Sequence, residues 1–474
     1  GRMNADQREG VVSNAKYLRS VRPVDPEEVS DYVEGQPHPA TVRQVLREEA
    51  VDLGLVERED GTFEPVPEEP VPHEFRGVEA FPEEYARRLE DLLVEAFGPG
   101  WPDGESGDAL RETIRRLKED YFAQNPVAYD DEVALGYAVY HLPDYYAVVQ
   151  YVLSTLTERG LFPRRLRVLD VGAGVGGPAL GLHDFLPDDA LAEYHAVEPG
   201  DSADVLDALL EETGRNFHPT VHRETAEAFD PDGEYDLVLL ANVLSELDDP
   251  EAVVRKYLDV LAEDGSLVAV APADRNASIG LRDVERAVTD RATVYAPTLR
   301  LWPGEQPSDR CWSFDVRPDL DVPAFQRRLD EGSRTSEGDD APGSGEFVNA
   351  DVQYSYSVLR PDGTRRRDLT ADPDRFAKMA ETERHVTRRV DLVAVKLSHS
   401  LSESDAENRV YRVGDGSQEK DHFAVLTRET ALNRALREAA YGDLLAFEEV
   451  LVLWNDDEEA YNLVVDEETV VDRL

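Results

Sequence analysis

The sequence predicts an α/β protein. Its centre is a doubly wound, Rossmann-like sheet with a helical cap, flanked by an N-terminal winged-helix-like unit and a small C-terminal β-barrel of the oligonucleotide-binding (OB-like) type. Three observations predict it. In Leu166-Arg-Val-Leu-Asp-Val-Gly-Ala-Gly-Val-Gly-Gly177 an aliphatic run ends in glycines, as a buried parallel strand does where it hands over to a helix. From Arg164 to about Ala273 such runs alternate with short helical stretches, which implies a parallel sheet with its site at the carboxyl ends of the strands. Alternating, β-branched runs then fill the last hundred or so residues (order of magnitude of one domain).

Residues 1–68 read as the winged-helix-like unit. Asp25-Pro-Glu-Glu28 starts a helix, with an acid at the cap and proline in the first turn. It runs to Val33, a second helix spans Ala40 to Leu53, and a hairpin turns at Asp60-Gly61. The second helix exposes Arg43 and Arg47 but also Glu48 and Glu49, so protein docking and nucleic-acid binding both stay open. Residues 69–160, entered through a Pro/Glu-rich linker, form the cap. Tyr85, Leu89, Leu92, Leu93 and Ala96 make one helical stripe; Leu110, Ile114, Leu117 and Tyr121 a second; Tyr145 to Leu156 a third helix. Tyr137, Tyr140, Tyr145 and Tyr146 crowd around His141 and Pro143, either as core or lining the cofactor mouth.

Residues 161–329 hold the sheet, with strands at Arg167–Val171, Glu193–Val197, Thr220–Arg223, Leu237–Leu240 and Ser266–Val270. Residues 330–346 are Gly/Ser/Asp-rich and read as a disordered linker. In 347–474 the strands are Val352–Val358, Val390–Leu397, Phe423–Leu426 and Leu445–Trp454, with a helix near Thr430–Ala439; a small OB-like barrel accommodates them.

Composition bounds the setting. One hundred acidic against fifty basic residues give a net charge of −50, and only six bases are lysine (Lys16, Lys118, Lys256, Lys378, Lys396, Lys420). The acids are spread along the chain, not gathered in a tail. A carboxylate-rich, lysine-poor surface suits a halophile's cytoplasm, where molar salt shrinks the Debye length to about 3 Å. At that ionic strength net charge does not exclude an RNA partner, because repulsion is short-ranged. The single cysteine, Cys311, excludes an intrachain disulfide. No signal peptide opens the chain, and no apolar run approaches the ~18–20 residues a membrane span needs. A cytoplasmic protein without membrane association is expected.

The glycine turn suits a nucleotide-like ligand, since a Cβ at Gly172, Gly174 or Gly176 would occupy ligand space. The same letters also fit the dinucleotide fingerprint Gly172-x-Gly174-x-x-Gly177. Three features tilt the choice to S-adenosylmethionine. Asp170 precedes the first glycine by two residues, where a carboxylate holds the amino acid end of that cofactor directly or through water and would oppose a pyrophosphate. Tyr194-His-Ala-Val-Glu198 is a strand ending in an acid for the ribose hydroxyls. Tyr235-Asp-Leu-Val-Leu-Leu-Ala-Asn242 is a fourth strand ending in a polar residue. The set VLDVGAG, acid, YDLV resembles class I S-adenosylmethionine-dependent methyltransferases. The expected cofactor residues are Asp170, Gly172, Gly174, Gly176, Glu198, Glu224 and Asn242, with Glu224 at the adenine end.

Together, VLDVGAGVGGPAL, YDLVLLANVLSEL, Ala296-Pro297…Trp302-Pro303…Asp309-Arg-Cys-Trp-Ser-Phe314, VQYSYSVLR and Tyr441-Gly-Asp443 resemble the methyltransferase-like family of the mitochondrial and archaeal small ribosomal subunit, over roughly residues 75–474. The resemblance implies association with small-subunit rRNA, as an rRNA methyltransferase or as a catalytically inactive assembly factor; a small-molecule methyltransferase is the further alternative. That family commonly carries a cysteine cluster for an iron–sulfur centre. A four-iron cluster wants four thiolates, and only Cys311 is present, so no iron–sulfur cluster and no metal are expected. Cys311 is then a packed thiol, with Trp302, Trp312 and Phe314 filling the space.

Methyl transfer asks mainly for alignment. No Pro-Cys nucleophile and no Asn-Pro-Pro turn follow the fourth strand. Asn242, Ser245 and Glu246 are the candidates to orient an acceptor, with capping of the next helix as their alternative. Arg365, Arg366, Arg367, Arg384, Arg388 and Arg389, near Tyr354 and Tyr356, are the RNA-binding candidates; local salt bridges are the competing use.

Overall fold

The computed structural model describes residues 2–122, 130–303, 312–336, 338 and 341–474. Cys311 lies outside the described residues, as does the side chain of Tyr121.

The N-terminal unit is a winged helix. Helices α1 (Ala5–Leu18), α2 (Pro26–Tyr32), α3 (Pro39–Glu48) and α4 (Ala50–Leu53) precede a hairpin of β1 (Leu55–Glu57) and β2 (Phe63–Pro65). Helix α1, absent from the sequence reading, is opened by a capping box between Asn4 and Gln7. Val24 bridges Phe63 between α1 and α2, and Val11, Val29, Val42, Leu46 and Phe63 form the core. The arginines of α3 are not presented to solvent as expected. Arg47 makes two hydrogen bonds to Glu57, at 2.6 and 2.8 Å, and Arg43 packs against Gly61 in the hairpin turn. The unit docks on the amino-terminal ends of the central strands. Asn216 brackets the backbone of Glu57 (2.7 and 3.0 Å), and Arg165 donates to the Val51 carbonyl. It therefore sits opposite the edge that carries the site.

The cap comprises α5 (Glu83–Phe97), α6 (Gly104–Phe122) and α7 (Asp131–Thr157). Helix α7 passes through Pro143, whose missing N–H frees the Val139 carbonyl one turn back. Gln326 donates to that carbonyl (2.9 Å), and Asn349 donates to the neighbouring Tyr140 carbonyl (2.9 Å).

The central sheet contains β3 (Arg165–Val171), β4 (Leu191–Val197), β5 (Phe217–His222), β6 (Tyr235–Ala241), β7 (Leu261–Ala271), β8 (Thr293–Ala296) and β10 (Val352–Arg360). Their order is β5-β4-β3-β6-β7-β10-β8, with a short β9 (Asp315–Arg317) pairing β10. The first five are parallel, and β10 runs antiparallel to β7 and β8. Helices α8 (Gly177–Phe185), α9 (Ser202–Leu210), α10 (Pro250–Leu258), α11 (Arg275–Ala287) and α12 (Ala324–Glu331) complete the α/β region.

Strand β10 corrects the expected boundary at 347. It belongs to the central sheet, not to the barrel, and Ser355 on it is satisfied inside, donating to the Ser313 carbonyl at 2.6 Å. The expected disordered linker is corrected as well. Its described part is pinned to α6: Ser333 receives a hydrogen bond from Arg111, and Thr335 donates to Asp108.

The C-terminal unit is a barrel of β11 (Arg389–Lys396), β12 (Arg409–Gly414), β13 (His422–Leu426), β14 (Leu444–Asn455) and β15 (Ala460–Val465), with α13 (Ala435–Glu438) between β13 and β14 and β16 (Val470–Arg473) added to β14. Pairing runs β11-β12-β13-β15-β14 and closes through β11–β14, with β13 and β15 parallel. This is the OB-like topology that was expected. Trp302 anchors it by donating to Asp415 at 2.9 Å, and Trp312 stacks on Phe314 with ring centroids 5.1 Å apart. Among the described residues no helix is long and apolar enough to cross a membrane.

Candidate active site

The site lies at the carboxyl ends of β3, β4, β6 and β7, and it has two halves. The first is the glycine loop after β3. Gly172 and Ala173 donate backbone hydrogen bonds to the Val197 carbonyl at 2.8 and 3.1 Å, folding the loop over the end of β4. Gly172 has φ +71°, and a Cβ there would lie 2.5 Å from Val243. Gly174 has φ +60°, but a Cβ there meets nothing within 4 Å; the space it faces is open for a ligand. Gly176 caps α8 with φ +112°, so the positive end of that helix faces the loop.

Glu198 closes this half. One carboxylate oxygen accepts from the Gly174 N–H and the other from the Gly200 N–H, both at 3.0 Å. Burial raises its pKa, and the two amides pull the other way. Asp170, expected to reach the ligand directly or through water, lies one layer deeper than the glycines. It is 0% exposed, beneath the loop, and Tyr194 donates to its Oδ2 at 2.5 Å. Burial pushes its pKa up to about 7, partly offset by that hydrogen bond, with the charge of Glu198 adding to the rise. Its Oδ1 has no protein partner among the described residues. Glu224 is exposed beyond β5.

The second half is a cavity of about 350 Å³ between the cap and the ends of β6, β7 and β10. Asn242 lines it with Ala271 and Pro272. The residue adopts φ +58°, a left-handed conformation that asparagine tolerates better than most side chains, and its N–H bonds the Val270 carbonyl at 2.8 Å. Tyr137, Tyr140 and Tyr145 form the opposite wall, whereas Tyr146 packs in the core. His141 stacks on Tyr145 with centroids 4.8 Å apart and planes 11° apart. Its Nδ1 is 3.3 Å from Asp144 Oδ2. Lys118 sits 4.6 Å from the centre of the Tyr140 ring. Asp144 and Lys118 were missed by sequence reasoning; the His-x-x-Asp spacing across Pro143 was the available signal.

Ser245 and Glu246 are exposed on a 3-10 turn, Leu244–Glu246, and neither lines the cavity. Nor does Asn242, Ser245 or Glu246 cap the next helix; Asp249 does, accepting from the Ala252 N–H. The arginine candidates are not one surface. Arg366 is buried, with Nε and Nη2 each 2.9 Å from Glu158. Arg365 bonds the Arg300 carbonyl and Asp368, Arg367 is half-buried, and Arg389 is paired with Asp466 and Glu468. Arg384 and Arg388 are exposed, Arg384 beside Glu381. Tyr354 and Tyr356, expected to be exposed aromatics near them, are both 2% exposed.

Residues 169–267 match a methyltransferase domain family. Residues 8–59 and 380–474 match the N-terminal and C-terminal domains, respectively, of a family described as a domain of unknown function (DUF8157); these are the winged helix and the barrel. No curated protein matches the chain. Among solved structures, the plantazolicin methyltransferase BpumL in complex with SAH is 11% identical, covering 58% of this chain and 99% of its own, with a TM-score of 0.30. The N-methyltransferase NodS from Bradyrhizobium japonicum is 13% identical over 45% of this chain and 93% of its own, with a TM-score of 0.27. The methyltransferase family match contains the glycine loop, Glu198 and Asn242. Residues 169–267 of the α/β domain thus carry the sequence signature of a methyltransferase domain, and the cofactor is S-adenosylmethionine.

Proposed function

We propose that this protein is an S-adenosylmethionine-dependent methyltransferase that seats a planar acceptor in the tyrosine-lined cavity beside Asn242. The observation that carries the reading is the adjacency of the two halves: β6 leads into Asn242, which lines the acceptor cavity, and its neighbour β3 leads into the glycine loop. Bound S-adenosylmethionine supplies an electrophilic methyl group. The chain's own contribution is to hold the nucleoside against Glu198 and the loop amides, to stack the acceptor on an aromatic wall, and to keep water from the methyl group. A cavity of about 350 Å³ suits a ring of one or two cycles.

A second reading is favoured by the OB-like barrel, an architecture that takes oligonucleotides in other proteins. In it the planar acceptor is a base of small-subunit rRNA, or the protein binds cofactor and serves in subunit assembly without transferring methyl. Incubation in molar salt with methyl-labelled S-adenosylmethionine, against immature small subunits and against a small-molecule cell extract, separates these. Label in small molecules supports the first form, and label in rRNA the second. Saturable cofactor uptake with no label in either fraction overturns the enzymatic reading.

A further inference from the structure

We infer that His141 is a general base of this site, held in register by Asp144, and that the acceptor is a planar group bearing a removable O–H or N–H proton. The inference rests on the methyltransferase reading above and adds the substrate class to it. A carboxylate accepts hydrogen bonds and does not donate them. Asp144 is committed as an acceptor by two N–H donors, the Tyr145 N–H at 2.9 Å and Asn349 Nδ2 at 3.2 Å, and His141 Nδ1 lies 3.3 Å from its Oδ2. The shared proton therefore sits on His141 Nδ1, which leaves Nε2 with the lone pair.

The ring is also fixed in orientation. Tyr145 stacks on one face, and Tyr140 meets it edge-on at 5.0 Å and 88°. Pro143 lies between histidine and aspartate in α7. Asn349 donates both to the Tyr140 carbonyl and to Asp144 Oδ2, so the helix backbone and the dyad share one support. His141 and Asp144 line the same cavity as Asn242. The other charged groups on that cavity are Lys118 from α6, and Asp274 and Arg275 at the start of α11. None of them replaces the imidazole. Lys118 donates to the Glu346 carbonyl, Asp274 accepts from the Ala277 N–H as the cap of α11, and arginine does not give up its proton. Tyr140 is held protonated, its pKa pushed up to about 12 by burial and by Asp144.

In the step itself, the acceptor's O–H or N–H proton passes to His141 Nε2. The acceptor's electron pair forms the bond to the methyl carbon, and the methyl–sulfur pair stays on sulfur, which becomes a neutral thioether. Charge and atoms balance with no further reactant.

4-Nitrophenol is a planar probe whose ionisation is visible by absorbance. Titrated into the folded protein in molar salt, at a pH where the free phenol is mostly un-ionised, it should bind saturably and gain phenolate about tenfold, as a one-unit fall in its pKa would give. His141→Gln should lose the phenolate signal while keeping probe binding, read from tyrosine fluorescence. Asp144→Asn should do the same, because an amide permits the wrong tautomer. Absence of saturable binding, or an undiminished phenolate signal in folded His141→Gln, overturns the inference. Calorimetry with S-adenosylhomocysteine on the same samples distinguishes the two levels. Uptake of that nucleoside without a phenolate signal sinks the base alone; no uptake sinks the cofactor reading beneath it.

Discussion

The two halves of the cleft are made of different material. The cofactor half is backbone: three glycines with positive φ, the N–H groups of Gly174 and Gly200, and one carboxylate that joins them. The acceptor half is side chains, brought from α6, α7, β7, α11 and β10 across more than half the chain. Backbone geometry tolerates few substitutions, because it needs glycine where φ is positive. A wall of side chains can be replaced one residue at a time. On the function proposed above, the cofactor half is a fixed device and the acceptor half sets specificity.

The largest expected effect tests the fixed half. Gly172→Ala forces an L-residue into φ +71° and drives its Cβ to 2.5 Å from Val243. It should cost ~2–4 kcal/mol of stability, strain and overpacking together, and abolish detectable cofactor binding. Gly174→Ala meets no atom and should cost only about 1 kcal/mol for its φ. Its Cβ enters ligand space, so calorimetry should show at least a roughly tenfold weaker Kd, equivalent to about 1.4 kcal/mol. Should Gly174→Ala bind S-adenosylmethionine as the parent does, the loop is not the cradle and the division into halves fails.

The next effect sharpens the contrast between Asp170 and Glu198, which end neighbouring strands. Burial raises the folded-state pKa of Asp170 to about 7, against about 3.9 in an unfolded chain. The folded state thus holds the extra proton between those values. This group's contribution to stability is fully present below about pH 4 and is lost as pH rises through 7. Asp170→Asn fixes the neutral form while its amide oxygen still accepts from Tyr194. Relative to the parent, the variant should gain ~2–4 kcal/mol between pH 4 and pH 8, read by urea denaturation at constant salt. Parallel stability curves would mean that Asp170 is solvated and reaches the cleft after all.

Legibility followed the same division. The glycine loop and the acids after β3 and β4 were readable because backbone constraints leave their mark within a dozen residues or so. The strand order was not. Val352–Val358 alternates as a strand does in any sheet, and only its pairing with Val268 and Val270 of β7 assigns it to the centre. Tyr354 and Tyr356 looked exposed because they alternate with Ser355 and Ser357, but those serines are buried too. The arginine islands misled for a related reason. Arg366 lies 208 residues from Glu158, a partner that local charge patterning does not reveal. The His141–Asp144 pair spans one helical turn, and its meaning depends on a cavity whose far wall is built from residues around 240 and 270.

The smallest expected effect asks whether the halves are independent. Lys118 lines the acceptor cavity, donates to the Glu346 carbonyl at 3.0 Å and lies over the Tyr140 ring; burial lowers its pKa. Lys118→Met keeps the length of the stem and removes the charge. The lost hydrogen bond and cation–π contact are worth about 1 kcal/mol together, offset in part because an ammonium no longer has to be kept half-desolvated. The melting temperature should therefore move by only a few degrees, in line with ~1 kcal/mol in a large chain. Affinity for S-adenosylhomocysteine should stay within about twofold, or ~0.4 kcal/mol, because no part of the glycine loop rests on this lysine. A much larger loss of cofactor affinity in a folded variant would couple the two halves. The cap would then be part of the cofactor site, and specificity and cofactor binding would not be separable by substitution.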